Sequence, residues 1–406
     1  MPEPAVTDAM LERPGLGRLI IAMIEAFQAE LVRRGKLAET SLIPARIAER
    51  APGTAEDLVI GEADLGLDSL DRLELVRRMT CAFSLDATGI EDYLLIRRRL
   101  GDWIDLIRVH FEKVGPGAVI AFPTSGSTGT PRHASHRRNL LESEVATLRQ
   151  IPGLARAEGR RVLALVPPHH IYGFLWTVLL PLQSGWEVVD LSRSGPGALF
   201  RCAAPGDVVI ATPFLWDMIA GTGQTLPADV LGVSSGAPAT AHTWAAASRA
   251  GLSRLIEIYG ATETGGIGWR DAEHAAFALL GDLERRNGAL WRLGTPLEVQ
   301  DRLDWTAERA FRVLGRRDRV IQVAGVNVNL ETLRQRLLDA TGADDAAVRL
   351  ADDRLKAFIV VPRRREALAR NAVHALLDRL PAPERPVEIS FGPTLPRSRM
   401  GKISAW

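Results

Sequence analysis

Between Gly15 and Arg34 the apolar residues Leu19, Ile20, Met23, Ile24, Phe27 and Leu31 recur three and four positions apart, with polar and small residues between them. That spacing lays one apolar stripe along a helix and predicts an amphipathic helix over 15–34. Residues 1–13, with prolines and acids in quick succession, read as a flexible tail. Pro44 and Pro52-Gly53 then break the chain. In Asp64-Leu-Gly-Leu-Asp-Ser-Leu-Asp-Arg-Leu-Glu-Leu-Val76, Asp68 can cap a helix starting at Ser69, with Leu70, Leu73 and Val76 turned to a core.

Beyond Gly115 the pattern changes to short apolar runs that read as buried strands. Such runs occupy 117–122 and 161–166, then Asp207-Val-Val-Ile-Ala-Thr-Pro213, Leu231-Gly-Val-Ser and 255–258, and a helix is predicted over 139–149. The end of the chain alternates helix (330–338), strand (357–361), helix (367–380) and strand (387–391). An all-α start, an α/β middle and a small α+β end are the expected architecture.

With 406 residues the chain has room for two or three cores. A hydrophobic content of 46% and a charged content of 24% are those of an ordinary globular protein. The net charge of +1 argues against a nucleic-acid partner, since the arginines are scattered among acids. Cys81 and Cys202 lie far apart, form no metal-ligand spacing and suit a reducing compartment. The start Met-Pro-Glu-Pro-Ala-Val lacks a signal pattern, and Leu19-Ile-Ile-Ala-Met is too short to span a bilayer. A cytoplasmic location without a membrane span is the expectation.

Chemistry concentrates in Phe122-Pro-Thr-Ser-Gly-Ser-Thr-Gly-Thr-Pro-Arg132, between the predicted strand and helix. Glycines there permit close approach, and backbone N–H groups and hydroxyls can face a phosphate chain. No Gly-Lys-Ser/Thr closes it, so it is not a Walker A loop. The stretch resembles the T-S-G-S-T-G-x-P-K signature of the acyl-adenylate-forming superfamily, which comprises acyl-CoA ligases, peptide-synthetase adenylation domains and luciferases. The resemblance implies that Thr124, Ser125, Gly126, Ser127, Thr128, Gly129 and Arg132 bind nucleotide phosphates, with Thr128 also near the metal. Arg132 stands where lysine is usual, and either cation can meet pyrophosphate.

Further motifs follow in the family's order. Pro-His-His-Ile-Tyr-Gly173 ends a strand; His169 or His170 can be a satisfied core histidine, while the spacing His170-x-x-Gly173 resembles the motif that lines the carboxylate-substrate pocket. Ile171, Tyr172, Gly173 and Phe174 supply no carboxylate for a substrate amine, which favours an aryl or fatty acid over an amino acid. Gly236-Ala237-Pro238 is similar to the turn packed beside adenine. In Tyr259-Gly260-Ala261-Thr262-Glu263, the resemblance has Tyr259 stacking on adenine, Thr262 touching the α-phosphate and Glu263 holding Mg²⁺. Gly-Arg-Arg-Asp318 resembles the hinge about which a small C-terminal domain turns, and Gly325 the loop that admits a thiol. Lys402, in Leu-Pro-x-x-x-x-Gly-Lys-Ile, matches the family's catalytic lysine. The ribose-binding aspartate is not legible, with Asp301 and Asp304 both candidates.

Leu-Gly-Leu-Asp-Ser-Leu around Ser69 resembles the attachment site of acyl carrier proteins, in which the serine receives 4′-phosphopantetheine. An exposed hydroxyl at a helix N-terminus suits an added phosphodiester. Asp71 and Glu74 would then offer an acidic docking face, 90–94 the third helix and 100–107 the last, capped by Asp102. The implied domains are a four-helix carrier (14–112), an AMP-binding core (113–317) and a mobile domain (318–406), the first two joined by a short tether around Val114-Gly-Pro-Gly. The large portion that precedes the phosphate loop in the family is missing by this reading.

The expected chemistry uses ATP and Mg²⁺: a carboxylic acid becomes an acyl adenylate, then passes to a thiol. With phosphopantetheine on Ser69 the chain would load itself as a starter-unit activator, with a phosphopantetheinyl transferase and a ketosynthase or other carrier-dependent enzyme as partners. The alternatives are an acyl-CoA ligase with a vestigial carrier region, and a non-catalytic carrier or docking module.

Overall fold

The computed structural model describes residues 12–43, 55–124, 132–154, 159–316, 320–323, 326–351, 354–397 and Trp406. The chain divides into two units, Met1–Glu298 and Val299–Trp406.

The first unit opens with helix α1 (Arg13–Arg33), which buries Leu19, Ile20, Ile24, Phe27 and Leu31 as its spacing predicts. Helix α2 (Ser69–Phe83) starts where expected, and Asp68 accepts a hydrogen bond from the Asp71 N–H at 2.8 Å. Its buried face differs from the one expected. Leu75, Val76, Met79, Ala82 and Phe83 are inside, while Leu70 is 73% and Leu73 52% exposed. An i, i+3 pair at a helix start fits either of two stripes, and the packing of this helix chose the other one. Helices α3 (Glu91–Ile96) and α4 (Leu100–Val114) follow. Arg99, not Asp102, sits at the α4 N-cap, without a side-chain cap, and Asp102 lies within the first turn.

These helices are not set apart as a carrier domain. They share one compact unit with the sheet, α1 packing on α4 and on the turn Leu175–Leu179, and α2 packing on strand β1 (Val119–Thr124). Arg18 donates to the Thr177 carbonyl and Arg193 pairs with Glu25 of α1. A 3₁₀ turn at Gly115–Gly117 leads from α4 to β1, which leaves no free tether.

Strand β1 does not lead through the glycine loop into a helix. It pairs antiparallel with β2 (Arg132–Arg137), and helix α5 (Arg138–Leu148) follows. β1 and β2 therefore form a hairpin. Next come β3 (Arg161–Ala164), a helical run over 171–184, β4 (Glu187–Asp190), α6 (Pro196–Cys202), β5 (Val208–Ala211), α7 (Pro213–Gly221), β6 (Leu231–Ser234), α8 (Ala241–Arg249), β7 (Arg254–Ala261), β8 (Gly265–Arg270) and β9 (Phe277–Leu279). Within this unit the strand order is β4-β3-β5-β6-β7-β8-β9. Pairing is parallel from β4 to β7 and antiparallel beyond. All residues of β5 and β6 are buried, as expected of parallel strands covered on both faces. Leu163, Val209, Trp216, Ile219 and Leu255 anchor one face of the core. A small antiparallel sheet, β10 (Leu283–Arg286), β11 (Ala289–Arg292) and β12 (Thr295–Leu297), completes the unit.

The second unit holds two hairpins, β13 (Asp301–Ala307) with β14 (Ala310–Arg316) and β15 (Val320–Val323) with β16 (Val326–Asn329). Helix α9 (Leu330–Thr341) is capped by the Asn329 side chain. Strand β17 (Asp345–Ala351), which the pattern did not reveal, pairs antiparallel with β18 (Arg354–Val360); helix α10 (Glu366–Leu377) precedes β19 (Glu388–Gly392), which runs parallel to β18. Leu333, Leu337, Leu355, Ile359 and Val373 form its core. The α+β expectation holds for this unit.

Candidate active site

Strand β3 has β4 on one side and β5 on the other, so the chain reverses its direction of travel across the sheet there. In open α/β sheets ligands sit outside the carboxyl ends of the strands at such a switch point. The motif residues that the structure describes in the first unit gather at these ends.

After β3 the chain reaches His170, which precedes the helical turn Ile171–Phe174, with the His169 ring centroid 4.3 Å away. Burial pushes His169 down to about 4, so its ring is neutral, and its Nδ1 is buried without a hydrogen-bond partner. The Tyr172 hydroxyl donates toward the carbonyls of Ala211 and Val233, each at 3.0 Å, at the ends of β5 and β6; burial raises its pKa. Gly173 is required by packing, since a Cβ there would lie 2.0 Å from the Pro167 carbonyl oxygen. Phe174 packs against Phe122 of β1 at 5.3 Å. Ile171 and Phe174 are buried here as well.

After β6, Ser235 is buried and donates to the Ile258 carbonyl at 3.0 Å, while Gly236, Ala237 and Pro238 form an exposed lip. At the end of β7, Tyr259 lies opposite Gly268, with a bulge between Tyr259 and Gly260 and the Phe277 ring 5.5 Å away. The chain then turns tightly: the Thr264 N–H donates to the Ala261 carbonyl, and the Ala261 N–H donates back to Thr264 Oγ1, both at 3.2 Å. Glu263 is exposed at the tip of this turn and Thr262 is half-buried. A solvent-facing carboxylate suits Mg²⁺, which would take its other ligands from phosphates and water. No cluster of three or more metal-binding side chains is found among the described residues.

Three residues that sequence reasoning missed hold this turn. His136 of β2 makes a 2.6 Å hydrogen bond from Nε2 to the Thr262 carbonyl. Because a carbonyl only accepts, Nε2 carries the proton. Burial lowers the pKa of this imidazole and favours the neutral form. From β11, Arg292 donates to the carbonyls of Thr264 at 2.9 Å and Gly266 at 2.6 Å, to Glu144 at 2.9 Å and to Asp282 at 2.6 Å. Glu144 of α5 accepts from the Gly266 N–H at 2.6 Å, and burial pushes its carboxyl up to about 7 against the pull of Arg292. One signal was visible: Glu144 interrupts the stripe Leu141, Val145, Leu148, where an acid needs a buried partner.

The structure thus brings the phosphate-loop hairpin and the Tyr259–Glu263 motif together, through residues 126 positions apart. Thr124 pairs with Arg132 in the hairpin register, while Ser125, Gly126, Ser127, Thr128 and Gly129 lie outside the described residues, as do Asp318, Gly325 and Lys402. Asp301 and Asp304 both lie on β13 in the second unit. Ser69 is exposed at the first turn of α2, and the acidic face expected beside it is partly neutralised: Arg77, with Arg78, holds the Glu74 carboxyl down at about 2. No helix among the described residues is long and apolar enough to cross a membrane.

A family profile described as AMP-binding enzyme matches residues 102–296. A protein of Cereibacter sphaeroides named 4-coumarate--CoA ligase is 44% identical over 404 residues, covering 99% of this chain and 98% of its own. One of Rhodobacter capsulatus with the same name is 43% identical over 352 residues, covering 86% of this chain and 91% of its own. The crystal structure of ATP-bound MatB from Rhodopseudomonas palustris shares the fold, with a TM-score of 0.55 at 16% identity over 95% of this chain and 91% of that one.

Proposed function

The chain belongs to the AMP-binding enzymes, the family that holds the acyl-CoA ligases, and from that premise we propose that it joins an aryl acid of the 4-coumarate type to the thiol of coenzyme A. The observation that carries the reading is the junction of the phosphate-loop hairpin with the Thr262–Glu263 turn, through His136, at the carboxyl ends of the sheet.

In the first step an oxygen of the substrate carboxylate attacks the α-phosphorus of ATP. The bond to the β,γ-pyrophosphate breaks, pyrophosphate leaves with the electron pair, and an acyl adenylate remains. No general base is needed, because the acid is ionised at neutral pH. Thr262 and Tyr259 are assigned to the α-phosphate and adenine, Arg132 and Lys402 to the phosphate charge, and Glu263 with Thr128 would hold Mg²⁺, which supplies charge neutralisation when bound. In the second step the thiol sulfur attacks the acyl carbon, AMP leaves and the thiol proton passes to solvent. Turning about Asp318 would exchange Lys402 for the thiol. His170, Tyr172 and Phe174 bound an apolar acid pocket, and Gly236, Ala237 and Pro238 sit beside the adenine.

Coenzyme A is favoured over a carrier serine by two observations. Relatives aligned across the N-terminal helices bear CoA-ligase names, and those helices pack on the sheet rather than standing free. Acid-dependent ATP–pyrophosphate exchange, followed by mass analysis of the thioester formed from 4-coumarate, ATP and CoA, tests the reading. The expected product is the CoA thioester, and exchange with no aryl or fatty acid would overturn the proposal. An acyl mass found on Ser69 itself would restore the self-loading reading.

A further inference from the structure

We propose that His136, Glu144 and Arg292 are positioning residues that set the Thr262–Glu263 corner for the nucleotide. The proposal rests on the reading above, in which that corner meets ATP.

The contacts are directed at backbone on both sides of Glu263. Before it, the Thr262 carbonyl accepts from His136 Nε2. After it, the Thr264 and Gly266 carbonyls accept from Arg292, and the Gly266 N–H donates to Glu144. The three side chains arrive from two parts of the chain, the consecutive elements β2 and α5 and the later strand β11, and all are buried, Arg292 being only 2% exposed. Glu144 and Asp282 together orient the guanidinium, so its Nη atoms are aimed before any ligand arrives.

Such a network is an expensive way to fill space. Burying one cation with two carboxylates gains little stability over apolar packing of the same volume. Its geometric effect is clear, however. With the backbone fixed at 262, 264 and 266, the Thr262 and Glu263 side chains keep only their own rotamers to settle. All the polar contacts of the network end on the 262–266 backbone or on one another; its link toward Phe174, where the acid is expected, is the His136 ring 6.1 Å from Phe122, an aromatic contact that His136→Phe keeps. Loosening it should therefore weaken nucleotide use and spare the acid, whereas a merely structural network would alter melting and leave both constants of the folded enzyme alone.

The test is ATP–pyrophosphate exchange by the full chain, with Mg·ATP and acid varied separately. His136→Phe keeps a ring and removes the donor; His136→Gln restores a donor. The expected result is a rise of about tenfold in half-saturating Mg·ATP for His136→Phe, the size of one lost hydrogen bond, with the acid constant unchanged. His136→Gln should recover most of it, and Arg292→Lys should shift the same constant in the same direction. Folded His136→Phe with both constants unmoved, or with the acid constant moved equally, would overturn the proposal; the histidine pair decides alone if Arg292→Lys does not fold. Glu263→Gln is assayed alongside. If it shifts Mg·ATP dependence while the His136 variants do not, only the positioning role fails. If Glu263→Gln shifts nothing, the nucleotide reading of the turn fails and the positioning role with it.

Discussion

Two short segments carry the strongest motifs in this chain, and they are built in opposite ways. The turn 262–266 is held by buried side chains from β2, α5 and β11. The start of α2 at Ser69 has a local cap, Asp68 accepting from the Asp71 N–H, and Leu70 and Leu73 are exposed there. A segment that must present groups to a small ligand in one geometry gains from a rigid mount. A helix start needs only its own cap. The contrast is one of mounting: the turn is braced by buried side chains from other elements, and the helix start presents its residues to solvent.

The comparison can be broken by substitution. Arg292→Met should cause the largest loss, about 3–5 kcal/mol, because it strands Glu144 and Asp282 as buried unpaired acids; a denaturant midpoint near the wild-type value would remove the basis of the contrast. Gly265→Ala comes next. Gly265 has φ +69°, and a Cβ there would lie 2.2 Å from Glu144 Oε2, so a loss of at least about 1–3 kcal/mol is expected in thermal melting. At the helix start Asp68→Ala removes one capping bond and should cost about 1 kcal/mol, with nucleotide constants unchanged. Ser69→Ala should leave CoA turnover as it was; loss of turnover would return the carrier reading to first place.

The turn should also respond to pH. The Glu144 carboxyl is raised from its ordinary value to about 7 by burial. Between those values the folded chain holds a proton that the unfolded chain has released, so this site's contribution is fully present at low pH and is lost as pH rises through about 7. Glu144→Gln cannot titrate. Melting temperatures followed from about pH 5 to about pH 8 should therefore fall more steeply for the wild type than for the variant, and parallel curves would sink the assignment.

Periodicity and capping made α1, the start of α2, the strands β3, β5, β6 and β7, and α9, β18, α10 and β19 of the second unit legible, because helix and strand preferences are decided within a turn or two of chain. The family was legible for the same reason: its motifs of glycines, hydroxyls and a carboxylate follow one another in a fixed local order. Strand β2 was missed because Arg132-His-Ala-Ser-His-Arg137 carries little apolar alternation and owes its form to its pairing with β1.

Tertiary structure alone decided the rest. It chose which face of α2 is buried, merged the N-terminal helices with the sheet, and brought His136 to Thr262 and Arg292 to Glu144. Those contacts join residues more than a hundred positions apart, and a local pattern carries no record of which distant partner a buried polar group will find.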